Sequence, residues 1–166
     1  MYDSTTNQKY NGHGSEAKIA FFDMGYSDLP GRIYYPSPIG DNVFQPAYDA
    51  GARMHTNSWV SVFNLYDADT ADIDDFQNTH SDFLALFSAG NDGSEGYYSL
   101  GNPAVSKNAL TVGCSKSSIG VTENIAYFSS LGPTFDQRIK VRLCSYRHIY
   151  YVKVASLSFY SISQLL

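Results

Sequence analysis

The sequence predicts an α/β domain built on a mostly parallel sheet. Strand-like and helix-like stretches alternate along it, and its apolar runs (AKIAFFDM, FLALF, ALTVGC) are continuous and short. Such runs fit strands covered on both faces better than helices, and alternation with helices is how a layered α/β domain is assembled.

Taken in order, residues 17–24 read as a buried strand closed by Gly25, and residues 26–42, rich in Gly, Pro, Ser and Asp, as a loop. Residues 43–50 admit a short helix ended by Gly51, with Pro46 restricting it to about one turn. Residues 53–59 (RMHTNSW) read as a second strand. A helix is predicted over 69–80, capped by Asp69 or Thr70, with acids in its first turns and Ile73 and Phe76 near one face. Residues 83–87 then form a buried strand that runs into the sharp turn SAGNDG, and 109–114 form another. Residues 125–132 lead, with weaker alternation, to Pro133.

With 166 residues the chain is long enough for one domain that buries roughly 70% of its unfolded surface. The opening MYDSTTNQKY is polar, which does not fit a signal peptide, and no run approaches the roughly 18 apolar residues of a membrane span. Charge divides the chain. Residues 1–136 hold all 16 acids and six bases, a net of −10, whereas residues 137–166 hold five bases and no acid. An acidic body argues against nucleic acid as a partner. Cys114 and Cys144 make neither a metal spacing nor a disulfide framework. The acids Asp67, Asp69, Asp72, Asp74 and Asp75 lack the spacing of a calcium loop and read as a solvated helix start. GNDGSEG at 90–96 is no phosphate loop, because the Lys-Ser/Thr is missing, and no Gly-x-Ser-x-Gly elbow occurs. No metal or other cofactor is expected.

Two polar residues stand where chemistry is done. Asn91 follows an apolar strand on a turn eased by Gly90 and Gly93, at the strand end where open α/β sheets bind ligands. A carboxamide held there can donate to a developing oxyanion, although local chemistry alone favours a plain turn asparagine. His13, in NGHGS, has the residue type of a general base but alone also reads as a solvated loop histidine.

Placed together, the segments are more specific. GHGS at 12–15, AKIAFFDMG at 17–25, ARMHTNSW at 52–59, LFSAGNDG at 86–93, NPAVSKNALTVGCS at 102–115 and NIAYFSSLGPTFDQRIKV at 124–141 follow one another in the order of the subtilisin-like serine proteases. The chain resembles that family over residues 11–141, its wording nearest the protease domains of large multidomain subtilases of protists. The resemblance implies an incomplete subtilisin-like three-layer domain, flanked by a polar segment at 1–10 and an unrelated basic tail at 142–166. It further implies His13 as general base, Asn91 as oxyanion donor, and Ser58, Trp59 and Gly90 bordering a cleft where a peptide or protein substrate adds as an extended strand.

The resemblance also has gaps. The family's serine belongs to a Gly-Thr-Ser-Met-Ala block that does not occur in this sequence, and Ser145, Ser156, Ser158, Ser161 and Ser163 lack its glycine-rich setting. The family's aspartate ends a strand before the histidine, and Asp3-Ser4-Thr5 has neither strand nor glycine. GHGS runs through Glu16 almost directly into the next strand, with no room for the family's histidine helix, and Val60 stands where the family has glycine. The expectation is a peptidase lineage without efficient hydrolysis in this chain, or a peptide-binding fragment. Apolar faces of residues 17–22 and 83–87 are expected to be left uncovered.

Overall fold

The computed structural model describes residues 16–25, 33–116 and 124–141, together with the backbone of 143–145 and 161–165. The elements in chain order are β1 (Lys18–Phe22), a π-helical turn (Gly40–Phe44) running into α1 (Gln45–Asp49), β2 (Met54–Asn57), α2 (Ala68–Thr79), β3 (Leu84–Ser88), a 3₁₀ turn (Gly93–Glu95), β4 (Leu110–Cys114), β5 (Leu143–Ser145) and β6 (Ser161–Leu165). Among the described residues no helix is long and apolar enough to cross a membrane.

One six-stranded sheet joins the strands in the order β1-β6-β2-β3-β4-β5. Strands β2 to β5 pair in parallel, and β6 lies antiparallel to both β1 and β2. Five strands therefore point one way and β6 the other, so the sheet is mostly parallel, as expected. Two strands occupy the stretch after Val141, where the sequence signals no element.

Because side chains alternate across a strand, the register sorts residues onto two faces. His55, Asn57, Ala85, Phe87 and Thr111 are buried on one face. There Ile73 and Phe76 of α2 meet Phe44, whose ring lies 4.9 Å from His55, 5.5 Å from Phe76 and 5.3 Å from Phe83. On the other face Met54, Leu84, Leu86, Leu110 and Val112 are only half-buried. The register through β6 puts Ile19 and Phe21 on that same face, 59% and 56% exposed.

Two expectations change accordingly. β1 is an antiparallel edge strand rather than a buried one, and β3 is sealed on one face only, which leaves apolar surface of 17–22 and 83–87 uncovered as the missing segments of the family pattern led one to expect. Nothing among the described residues packs a second helical layer on the open side.

The helix between β2 and β3 begins earlier than predicted. Asp67 is its cap, accepting from the Thr70 backbone N–H at 2.9 Å and from the Thr70 hydroxyl at 2.7 Å. Asp69 is drawn away by the Tyr35 hydroxyl at 3.0 Å and the Ser37 hydroxyl at 3.2 Å. Nor is the acidic cluster a solvated helix start. Asp72 accepts from the Gly40 N–H at 2.6 Å, and the buried Asp74 accepts from Tyr66, Ser106 and the N–H groups of Lys107 and Asn108. Burial by itself raises the Asp74 carboxyl, but these four donors outweigh it and hold the group below the usual range. The acids fasten α2 to the loops on either side of it, while Asp75 lies exposed on the helix and its backbone carbonyl accepts from the Thr79 hydroxyl.

Candidate active site

Parallel strands end together, so the residues just after β2 and β3 lie side by side at one edge of the sheet. Asn57 is opposite Phe87, which brings the segment 58–61 beside 88–91. Asn57 ties the pair together. Its side-chain N–H donates to the Leu86 carbonyl at 3.1 Å, and its Oδ1 accepts from the Trp59 indole N–H at 3.2 Å. The chain then alternates, with Ser58 exposed, Trp59 turned inward at 4% exposure, and Val60 half-buried. Trp59 stacks on Tyr35 with ring centroids 4.8 Å apart and meets the Phe87 ring edge-on at 5.5 Å.

The turn after β3 is held from behind. Ala89 N–H donates to Val112 O at 2.9 Å, Ser130 N–H to Gly90 O at 3.1 Å, Asp92 N–H to Ser130 Oγ at 3.0 Å and Gly93 N–H to Phe128 O at 2.9 Å. Gly90 sits at φ +110°, where a side chain is strained, and a Cβ there would lie 2.7 Å from Ser130 Oγ. At Gly93 a Cβ would stand 2.3 Å from the Ser129 carbonyl. The backbone is thus fixed on both sides of Asn91 while the Asn91 side chain is exposed. Such an arrangement can present an amide N–H to an oxygen arriving from solvent.

Of the residues singled out in the sequence, Ser58, Trp59, Gly90 and Asn91 come together at this edge, with Trp59 as a wall behind it. His13 lies outside the described residues. Sequence reasoning missed Asn57 and Ser130, both buried and both acting on residues distant in the chain; no local signal marks them. It also missed the opposite rim, where Gly101 packs so closely that a Cβ would meet the Ser61 carbonyl at 1.8 Å. There Ser61 N–H donates to the Asn102 carbonyl at 2.8 Å, and the Ser61 hydroxyl bonds to the Asn102 side chain.

Next to Trp59 and Val60 is a cavity of about 170 Å³, lined also by Ile33, Tyr35, Ser61 and Asp69. Tyr35 is pushed up to about 12 by burial and by the hydrogen bond and negative charge of Asp69. Among the described residues no three His, Cys, Asp or Glu side chains are grouped to hold a metal ion.

Comparison with known proteins gives this geometry a lineage. A profile of the Subtilase family matches residues 2–150. The Serine protease/ABC transporter B family protein tagD of Dictyostelium discoideum is 42% identical over 109 residues, which are 63% of this chain and 6% of that protein. The corresponding tagB protein of the same organism is 36% identical over 134 residues, 76% of this chain and again 6% of the relative. The chain therefore spans about 6% of the length of these relatives. Among solved structures, the Prenylagaramide maturation protease PagA aligns with 81% of this chain and 47% of its own at 18% identity and a TM-score of 0.47.

Proposed function

The chain belongs to the subtilase family, and from that premise we propose that it is a peptide-recognising part of a serine endopeptidase domain that holds an extended peptide without hydrolysing it efficiently by itself. The observation that carries this reading is the turn at Gly90–Asn91, clamped through Ser130 and opening beside the exposed Ser58. In this reading a substrate backbone runs along residues 58–60 and 88–90, and the Asn91 carboxamide faces the carbonyl that would be attacked. His13 serves as the general base. Ser58, Trp59 and Gly90 border the cleft.

The nucleophile is what these 166 residues do not supply, since no Gly-Thr-Ser-Met-Ala block occurs in them. In subtilisin-type sites the triad acts as a unit, so loss of the serine costs about as much as loss of all three members. An oxyanion donor is worth roughly 10²–10³ in rate, which is too little to sustain turnover alone. Binding is then the activity left to this stretch, and a regulatory or purely peptide-binding role is the second form of the same reading.

Two measurements on the full chain test it. A fluorophosphonate probe is expected to leave the chain unlabelled, and stoichiometric labelling would overturn the view that it lacks a working nucleophile. A fluorescein-tagged extended peptide is expected to bind with an anisotropy change that Gly90→Ala weakens, because the added Cβ displaces Ser130. Absence of binding up to about 1 mM, the weak end of specific affinities, would remove the cleft.

A further inference from the structure

We propose that His55 is an acid-operated latch on the edge of the sheet: on taking up a proton it draws the Asn57 carboxamide from Trp59 and loosens segment 58–61. The latch stands apart from the cleft reading above; that its release weakens peptide binding rests on that reading.

The imidazole is enclosed without being satisfied. His55 is 0% exposed within β2, its ring lies 4.9 Å from Phe44, and neither ring nitrogen makes a hydrogen bond. Buried polar atoms are nearly always paired, and a ring in such a place cannot hold a charge until it gains an acceptor. Burial accordingly pushes it down to about 4, and the side chain of Asn57 raises it against that trend. Asn57 is two residues further along the strand and so on the same face.

No charged group takes that part. The π-helical turn and α1 bring Asp41 and Asp49, both exposed, and Tyr48, whose hydroxyl donates to Asp82. Arg53, just before β2, is paired with the same Asp82. On α2, Asp75 is exposed, and Asp69, Asp72 and Asp74 are held by donors from other segments. Gln77 Oε1 already accepts from the Ala85 N–H. Neither β3 nor β6 carries a titratable residue. Among the described side chains the acceptor left for a charged ring is Asn57 Oδ1.

That oxygen is in use. It accepts from the Trp59 indole N–H at 3.2 Å, while the Asn57 amide donates to the Leu86 carbonyl at 3.1 Å and to the His55 carbonyl at 3.3 Å. A charged donor bonds roughly twice as strongly as a neutral one, so the imidazolium outcompetes the indole. Trp59 then keeps its ring contacts with Tyr35 and Phe87 but loses its hydrogen bond. Turning the carboxamide also weakens its bond to Leu86, which ties β2 to β3 just before the candidate site.

Trp59 is the chain's one tryptophan, so its indole N–H gives a single NMR signal that reports this bond. The full chain is titrated from about pH 7 to about pH 3.5, following that signal, the histidine ring protons and the far-ultraviolet circular dichroism. The indole signal is expected to move with the midpoint of the lowest-titrating histidine, at undiminished circular dichroism, and to stay still in His55→Gln. An indole that stays still while that ring charges overturns the proposal, as does one that moves only as the dichroism is lost. Both outcomes are read in the unaltered chain and need no variant to fold. The same movement in a folded His55→Gln overturns it too. A tagged extended peptide without titratable side chains is expected to bind about tenfold more weakly at about pH 4 than at about pH 7. Equal binding at the two overturns the control of the cleft. No binding at either removes the cleft reading and leaves the latch to be decided by the indole.

Discussion

Phe87 and Leu86 are adjacent in β3 and experience different surroundings. Phe87 is 1% exposed, packed against the edge of Trp59 within the cluster that α2 covers. Leu86 points to the other side of the sheet, where Met54, Leu84, Leu110 and Val112 are all half-buried and Ile19 and Phe21 reach solvent. Both residues have the composition of a buried strand, so hydrophobicity does not distinguish the faces. What distinguishes them is whether an element lies within reach to cover them. On the covered side α2 is drawn down by its own acids. On the open side no comparable layer is described.

Substitutions on the two faces test that difference. The largest effect is expected at Phe87→Ala, about 3–5 kcal/mol in urea denaturation, because an enclosed ring leaves a cavity behind. Leu86→Ala is expected to cost less, about 1 kcal/mol, since its side chain is only partly enclosed on the open face. Equal costs would mean that the open face is covered in solution.

The second test uses pH. His55 lies on the covered face, 0% exposed, and burial pushes its imidazole down to about 4 from 6.5. The unfolded chain takes up a proton as pH falls below 6.5 whereas the folded chain resists until about 4. Stability on this account is therefore full above 6.5, falls through that window, and levels off below it. The loss amounts to about 3 kcal/mol. A His55→Leu variant whose stability has the same slope between those limits would assign the effect to other groups. The smallest effect belongs to Phe21→Lys, expected within about 0.5 kcal/mol because the ring is already 56% exposed. A larger loss there would show the open face to be a packed one.

The parts of the fold legible in the sequence are those with local causes. β2, β3 and β4 appear where short apolar runs meet turn residues, and the bend after β3 follows from glycines that nothing larger can replace. The family resemblance was carried by the same segments. The helix cap lies earlier than the sequence suggests because Asp67, Asp69 and Thr70 are all good caps by chemistry; only the distant hydroxyls of Tyr35 and Ser37 take Asp69 out of contention. Asp74 reads as solvated for a related reason, since three of its four donors lie more than 30 residues away, at 106–108. At the candidate site Asn91 and Gly90 were legible and Asn57 and Ser130 were not, since their work is to brace residues that they approach only in the folded chain.

The position of β6 has a consequence for how the chain is made. Among the described residues β1 reaches the rest of the sheet through residues 161–165 alone, so its place in the sheet must wait until that later segment has been made. At ribosomal rates of about 5–20 residues per second, roughly ten seconds separate the two. During that interval β2, β3 and β4 can pair as neighbours, while Ile19 and Phe21 emerge with no sheet to join.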